Sequence, residues 1–230
     1  MSIIGSYNLF NKIEDGELDS NGLTAYLSTP KGKSEFIGIF TYKDMVERLF
    51  LLDEISSVIT NNNTAMNAVI ASATAMNAVI ASATAMNAVA ASATAMNAVI
   101  ASATAKMAVF SSDTALNGIA SSSVALTALR SASEYSLSAG ISNGSLPSLN
   151  TNGSYILVGA SSPNATNNQT ISNLSTLRSG SSRPTSIVTT SSNSDATDVT
   201  MCTPIIAPFS ITRSSTTGYT WYYGFLRCDI

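Results

Sequence analysis

Two short stretches near the N-terminus carry residues that could do chemistry. Gly32-Lys33-Ser34 has the ending of a phosphate-binding loop, but Leu27 stands where that motif needs its first glycine, so the stretch reads as a charged hairpin turn. Ser28 and Lys31 have the spacing of a serine acyl-enzyme pair. That chemistry needs both residues one turn apart on a helix and a companion Lys-Thr-Gly motif, which is missing. Glu14, Asp15, Glu17 and Asp19 cluster near Gly16 and Gly22 without the order of a calcium loop, and read as a solvated acidic loop. Asp195 and Asp198 sit among Ser, Asn and Thr, and nothing places them across a cleft as glycoside hydrolysis would require.

The chain has no His, which removes the commonest general base, the Ser-His and Cys-His pairs and most catalytic zinc sites. No catalytic residue, cofactor site or metal site is assigned. Cys202 and Cys228 are the only cysteines, too few for a disulfide framework, and read as unpaired thiols. The net charge of −3 and the lack of a basic stripe argue against nucleic acid as a partner. The N-terminus lacks the basic and apolar regions of a secretory signal.

Charge divides the chain into three. Residues 1–54 hold nine of the 14 acidic and five of the 11 basic groups, and Ile55 to Ala105 hold none. In the first part, Leu23–Leu27 and Glu35–Phe40 read as short strands around a Thr29-Pro30-Lys31-Gly32 turn, making a small β-rich adaptor. Thr41 and Asp44 then have capping-box form, and Met45, Leu49, Leu52, Ile55 and Ile59 make one apolar helical stripe.

From Thr64 to Ala103 the phrase Thr-Ala-Met-Asn-Ala-Val-Ile-Ala-Ser-Ala occurs four times, with Ala90 for Ile as the only change, and degenerate copies continue to Ser133. No Pro interrupts the run and Gly118 is its only glycine, so a helical shaft is expected, roughly 105 Å long if continuous. Met66, Val69, Ala73, Met76, Val79 and Ala83 form a seam that continues through Met86, Val89, Met96 and Val99. Ten residues per three turns make this seam drift by about −80° per unit, which calls for an overwound coiled coil of parallel chains or for burial on several faces. A β-solenoid is the competing architecture. A single straight helix would leave Met, Val and Ile in water, so a homo-oligomer is expected. With Thr, Asn and Ser at three of every ten positions, membrane insertion is not expected.

From Leu137 the texture becomes rich in Ser, Thr, Asn, Gly and Pro around short apolar runs, which read as the strands of an antiparallel β-sandwich head. They are Ser154–Val158, Thr185–Thr189, Val199–Thr203, Ile205–Ile206, Phe209–Ile211 and Tyr219–Leu226. On the last, Tyr219, Trp221, Tyr223 and Phe225 share one face. Tyr219, Trp221 and Tyr223 are the candidate contacts for a glycan or other receptor, with a role in the core as the commoner explanation for such a strand.

An acid-rich N-terminal adaptor, a low-charge repetitive shaft and a Ser/Thr/Asn-rich β-head together resemble a bacteriophage fibre protein of the tail-fibre or head/collar type. The resemblance lies in the organisation of the whole chain and is most specific in the shaft. It implies an elongated homotrimer with a virion-attachment region at 1–60, a helical shaft at 61–136 and a β-rich head at 137–230. It also implies assembly in the host cytoplasm, a virion protein as the N-terminal partner, and a host-surface glycan or protein as partner of the head. A fibre that only braces the particle, and a polysaccharide-cleaving tailspike-like enzyme, are the alternatives.

Overall fold

A computed structural model describes residues 3–140, 149–161, 169–172, 187–189, 199–209, 212–213 and 221–230. These fall into two compact units, Met1–Ala128 and Leu129–Ile230. No boundary separates an adaptor from a shaft near residue 60; both belong to the first unit.

The first unit is helical from its start: α1 (Ile3–Glu14), α2 (Ser20–Leu27), α3 (Pro30–Ile39), α4 (Lys43–Leu51) and α5 (Asp53–Thr60) precede the repeats. The expected β-rich adaptor is therefore not formed. Thr29-Pro30 is not a hairpin turn but a helix start: Thr29 Oγ1 accepts from Gly32 N at 2.9 Å, and Pro30 occupies the first turn, where its missing N–H costs nothing. The apolar stripe expected from Met45 to Ile59 is likewise split at Leu52, which is extended and 52% exposed.

The repeats form α6 (Asn63–Ile70), α7 (Ala73–Ala81), α8 (Ala83–Ala91), α9 (Ala93–Ile100), α10 (Ala103–Phe110), α11 (Asp113–Ala120) and α12 (Ser123–Arg130). The shaft is thus helical, but it is neither one long helix nor a coiled-coil strand, and it is not a β-solenoid. Each unit makes one short helix, and the chain bends by 98° between α6 and α7 and by 100° between α8 and α9. Gly and Pro take no part in these breaks. The serine near the end of each unit takes an extended backbone and caps the next helix: Ser72, Ser82 and Ser92 Oγ accept from the N–H groups of Ala75, Ala85 and Ala95 at 3.1–3.3 Å.

The bend answers the drift of the apolar stripe. A straight helix would carry the Met and Val positions around its circumference, whereas a turn at every serine brings them back to one interior. The chain consequently winds into a helical solenoid in which each helix packs on the third helix after it, from α1 on α4 through to α8 on α11. One hydroxyl then serves two turns. Ser92, Ser112 and Ser122 each cap their own helix and donate to the carbonyl of Thr60, Ile80 and Ala90 respectively, at the C-terminal end of a helix one superhelical turn earlier. Both ends of an α-helix carry unpaired backbone groups, and this contact satisfies one of each kind. Asn62 caps the first repeat helix, accepting from Ala65 N, while its amide nitrogen reaches the first turn of α2, 2.8 Å from Ser20 O and 2.9 Å from Thr24 Oγ1.

The ten-residue period reaches further back than the visible repeats. Ile39, Leu49, Ile59, Val69, Val79, Val89, Val99, Val109, Ile119 and Leu129 are each no more than 2% exposed, so every tenth residue across this span is a buried aliphatic. Burying each such side chain contributes about 1.5–3 kcal/mol. Ala90, the one departure among the perfect copies, lies on α8 with α11 stacked above. There Gly118 lets the helices approach, since a Cβ at that position would stand 3.1 Å from Asn87 Oδ1 and 3.4 Å from the Met86 backbone.

The second unit contains an antiparallel four-stranded sheet in the order β1 (Tyr135–Gly140), β7 (Trp221–Arg227), β2 (Leu149–Ser161), β5 (Val199–Phe209). Three further strands, β3 (Gln169–Ser172), β4 (Ile187–Thr189) and β6 (Thr212–Arg213), pair separately in the order β4, β3, β6. The expected β-rich C-terminal part is formed; the runs at Val199, Ile205 and Phe209 are one strand rather than three. Pro204 and Pro208 lie in β5, at one edge of this sheet, where a strand tolerates proline. Residues Tyr155 to Ala160 of β2 are buried without alternation, so both faces of this strand are covered. Cys202 and Cys228 are fully buried and are not joined in a disulfide. They lie on opposite sides of β2, opposite Val158 and Ser154, which places them roughly 16 Å apart by strand geometry, beyond the reach of a disulfide.

Replacing Ser92 by Ala removes a cap and an inter-turn bond, and is expected to lower stability in urea by about 1–3 kcal/mol. Ser72→Ala, which loses the cap alone, is expected to cost about 1 kcal/mol. Equal losses would remove the inter-turn bond from this account. In the native protein, iodoacetamide should leave Cys202 and Cys228 unmodified, and both should react once the chain is unfolded.

Candidate functional site

The residues with chemical potential are mostly consumed by local structure. Ser28 sits at the C-terminal end of α2, its Oγ donating to Ala25 O at 2.6 Å, while Lys31 lies in the first turn of α3 and pairs with Glu35 at 3.8 Å. The two are on different helices and form no nucleophile-base pair. Gly32-Lys33-Ser34 lies within α3 rather than in a phosphate-binding loop. Asp19 caps α2, accepting from Gly22 N at 2.7 Å, and Glu14 pairs with Arg48, whose guanidinium stands 5.0 Å over the Phe10 ring. Among the described residues no group of three or more Cys, Asp or Glu could hold a metal ion. No single described helix is long and apolar enough to cross a membrane.

The expected oligomer seam is covered by its own chain. Met66, Val69, Met76, Val79, Met86, Val89, Met96 and Val99 are each at most 2% exposed within one chain, whereas Ala73 and Ala83 stand on the surface at helix starts. The residues that share the interior with Met and Val are instead Ala65, Ala75, Ala85 and Ala95. The reason is the bend: it sets the tenth residue of each unit outside the turn that buries the second. Of the receptor candidates, Tyr223 is fully buried, with its ring 6.3 Å from that of Phe225, so it belongs to the sheet's core. Tyr219 and the side chain of Trp221 lie outside the described residues, as do Asp195 and Asp198.

A cleft of about 610 Å³ opens between α1, α2 and α3. Its wall holds Glu35, 6% exposed, at the decad position that Ala65, Ala75 and Ala85 occupy later. A carboxylate there gains nothing from stacking, and its burial is offset by the hydrogen bond from the Tyr26 hydroxyl and by Lys31. Gly5 is what lets α1 lie against it, because a Cβ at Gly5 would fall within the Glu35 carboxylate. The hydrogen bond to Glu35, followed by burial and the carboxylate's charge, pushes the Tyr26 hydroxyl up to about 12. Asn8, Asn11 and Lys12 complete the polar lining, and Ile4 forms part of the rim. The cleft was missed in the sequence because its helices were read as strands; the signal was Glu35 standing in the phase of an alanine core position.

No known protein family has a model that matches this chain, and no curated protein matches it in sequence.

Because the folded state holds the Tyr26 proton more tightly, the stability that this bond contributes is complete below pH about 10 and is lost as pH rises to about 12. Absorbance titration of the native protein should show a tyrosine ionising near 12, and Glu35→Ala, which removes both the acceptor and the charge, should return it toward its ordinary range.

Proposed function

We propose that this chain is a non-catalytic structural fibre of a bacteriophage particle, attached through its N-terminal helices and carrying its C-terminal β unit as the part that meets the host surface. One observation supports this most. Residues 55–105 contain no charge, and their helices bury their apolar side chains and satisfy helix ends within one chain, so this stretch suits a spacer that leaves recognition to the parts on either side. The three-chain assembly that the resemblance implies is assigned to surfaces other than the Met and Val stripe, because that stripe is already covered. Adhesion through several weakly binding heads held together would draw its strength from effective concentration.

The burial of Tyr223 favours a second reading, a fibre that braces the particle without reading a receptor. Particles carrying a chain that ends at Arg130 separate the two. Adhesion predicts a loss of adsorption on the order of a hundredfold, the scale of lost avidity. Unchanged adsorption would leave the bracing role.

A further inference from the structure

Lys12 is exposed at the cleft and makes no ion pair among the described residues. Lys31 leans on Glu35 at 3.8 Å, yet its side chain remains 81% exposed, so its ammonium is free to turn toward an incoming group. The one carboxylate in the lining, Glu35, already accepts from Tyr26 and faces Lys31. The cleft therefore carries a net positive charge, with Asn8 and Asn11 adding amide groups. Beside it, α1 leaves Ile3, Ile4 and Tyr7 at 57%, 69% and 50% exposure, with the Tyr7 ring 6.4 Å from that of the buried Phe10.

We propose that this cleft and the adjoining face of α1 seat a segment of another protein that presents an acidic side chain next to aliphatic ones. The acid is held by Lys12 and Lys31, the aliphatic neighbours lie on Ile3, Ile4 and Tyr7, and the segment's backbone amides meet Asn8 and Asn11. The charge balance decides against a basic partner. The inference concerns the chemistry of the bound segment and does not rest on the virion reading.

The full-length ¹⁵N-labelled protein is titrated with two capped peptides, Ala-Leu-Glu-Leu-Ala and Ala-Leu-Lys-Leu-Ala, and backbone amide shifts are followed by NMR. The glutamate peptide should perturb residues 4–12 and 31–35 and bind about fivefold or more tightly than the lysine peptide, the scale of one exposed ion pair. Lys12 is exposed, so Lys12→Glu leaves the fold intact and should reverse the preference. Failure of the glutamate peptide to bind, equal binding of the two peptides, shifts mapped elsewhere, or an unchanged preference in Lys12→Glu would each overturn the proposal.

Discussion

The solenoid depends on where the ends of short helices find their hydrogen-bond partners. An eight-residue helix leaves half or more of its backbone groups without an internal partner, and such helices are marginal in isolation. Here three of the cap serines, Ser92, Ser112 and Ser122, also donate to a last carbonyl of the turn before, so these helix ends are completed by a neighbour about three units away in sequence. This contact also explains why serine recurs where any polar residue would suit a surface. At Asn62 the cap is an asparagine, and its amide reaches the first turn of α2 instead of a last carbonyl.

The same geometry organises the region before the repeats. The aliphatic ladder that begins at Ile39 runs unbroken into the valines of the repeats, so α3 to α5 belong to the solenoid although they carry nine of the chain's 25 charged residues. What distinguishes the N-terminal turn is the use made of its alanine position. Glu35 places a hydrogen-bonded carboxylate where later turns are inert, and the cleft opens around it.

Helix, decad length and the C-terminal strands were legible because each rests on local pattern: Ala and Met propensity, the repeated phrase, and runs such as Ser154–Val158 between turn residues. The bends were not legible, since a serine between alanines is neutral to helix formation and becomes a cap only when a stacked turn rewards the break. That oversight carried the oligomer seam with it. The Met and Val positions were rightly identified as buried, but the surface covering them is their own chain rather than a second one. Thr29-Pro30-Lys31-Gly32 misled for a related reason, because Pro and Gly punctuate helix starts as readily as hairpins. In the β unit, the alternation of Tyr223 and Phe225 located a strand but could not say that both of its faces are covered.

Four near-identical units create a problem of addressing. Any turn of the solenoid could pair with several others at equal local cost, and a chain folding through such units has slipped arrangements open to it at steps of ten residues. Ala90 is the only position at which the four copies differ, so among them α8 alone carries a side chain of its own. The single irregular letter in the repeated phrase is thus the one place where otherwise interchangeable turns differ in what they present to a neighbour.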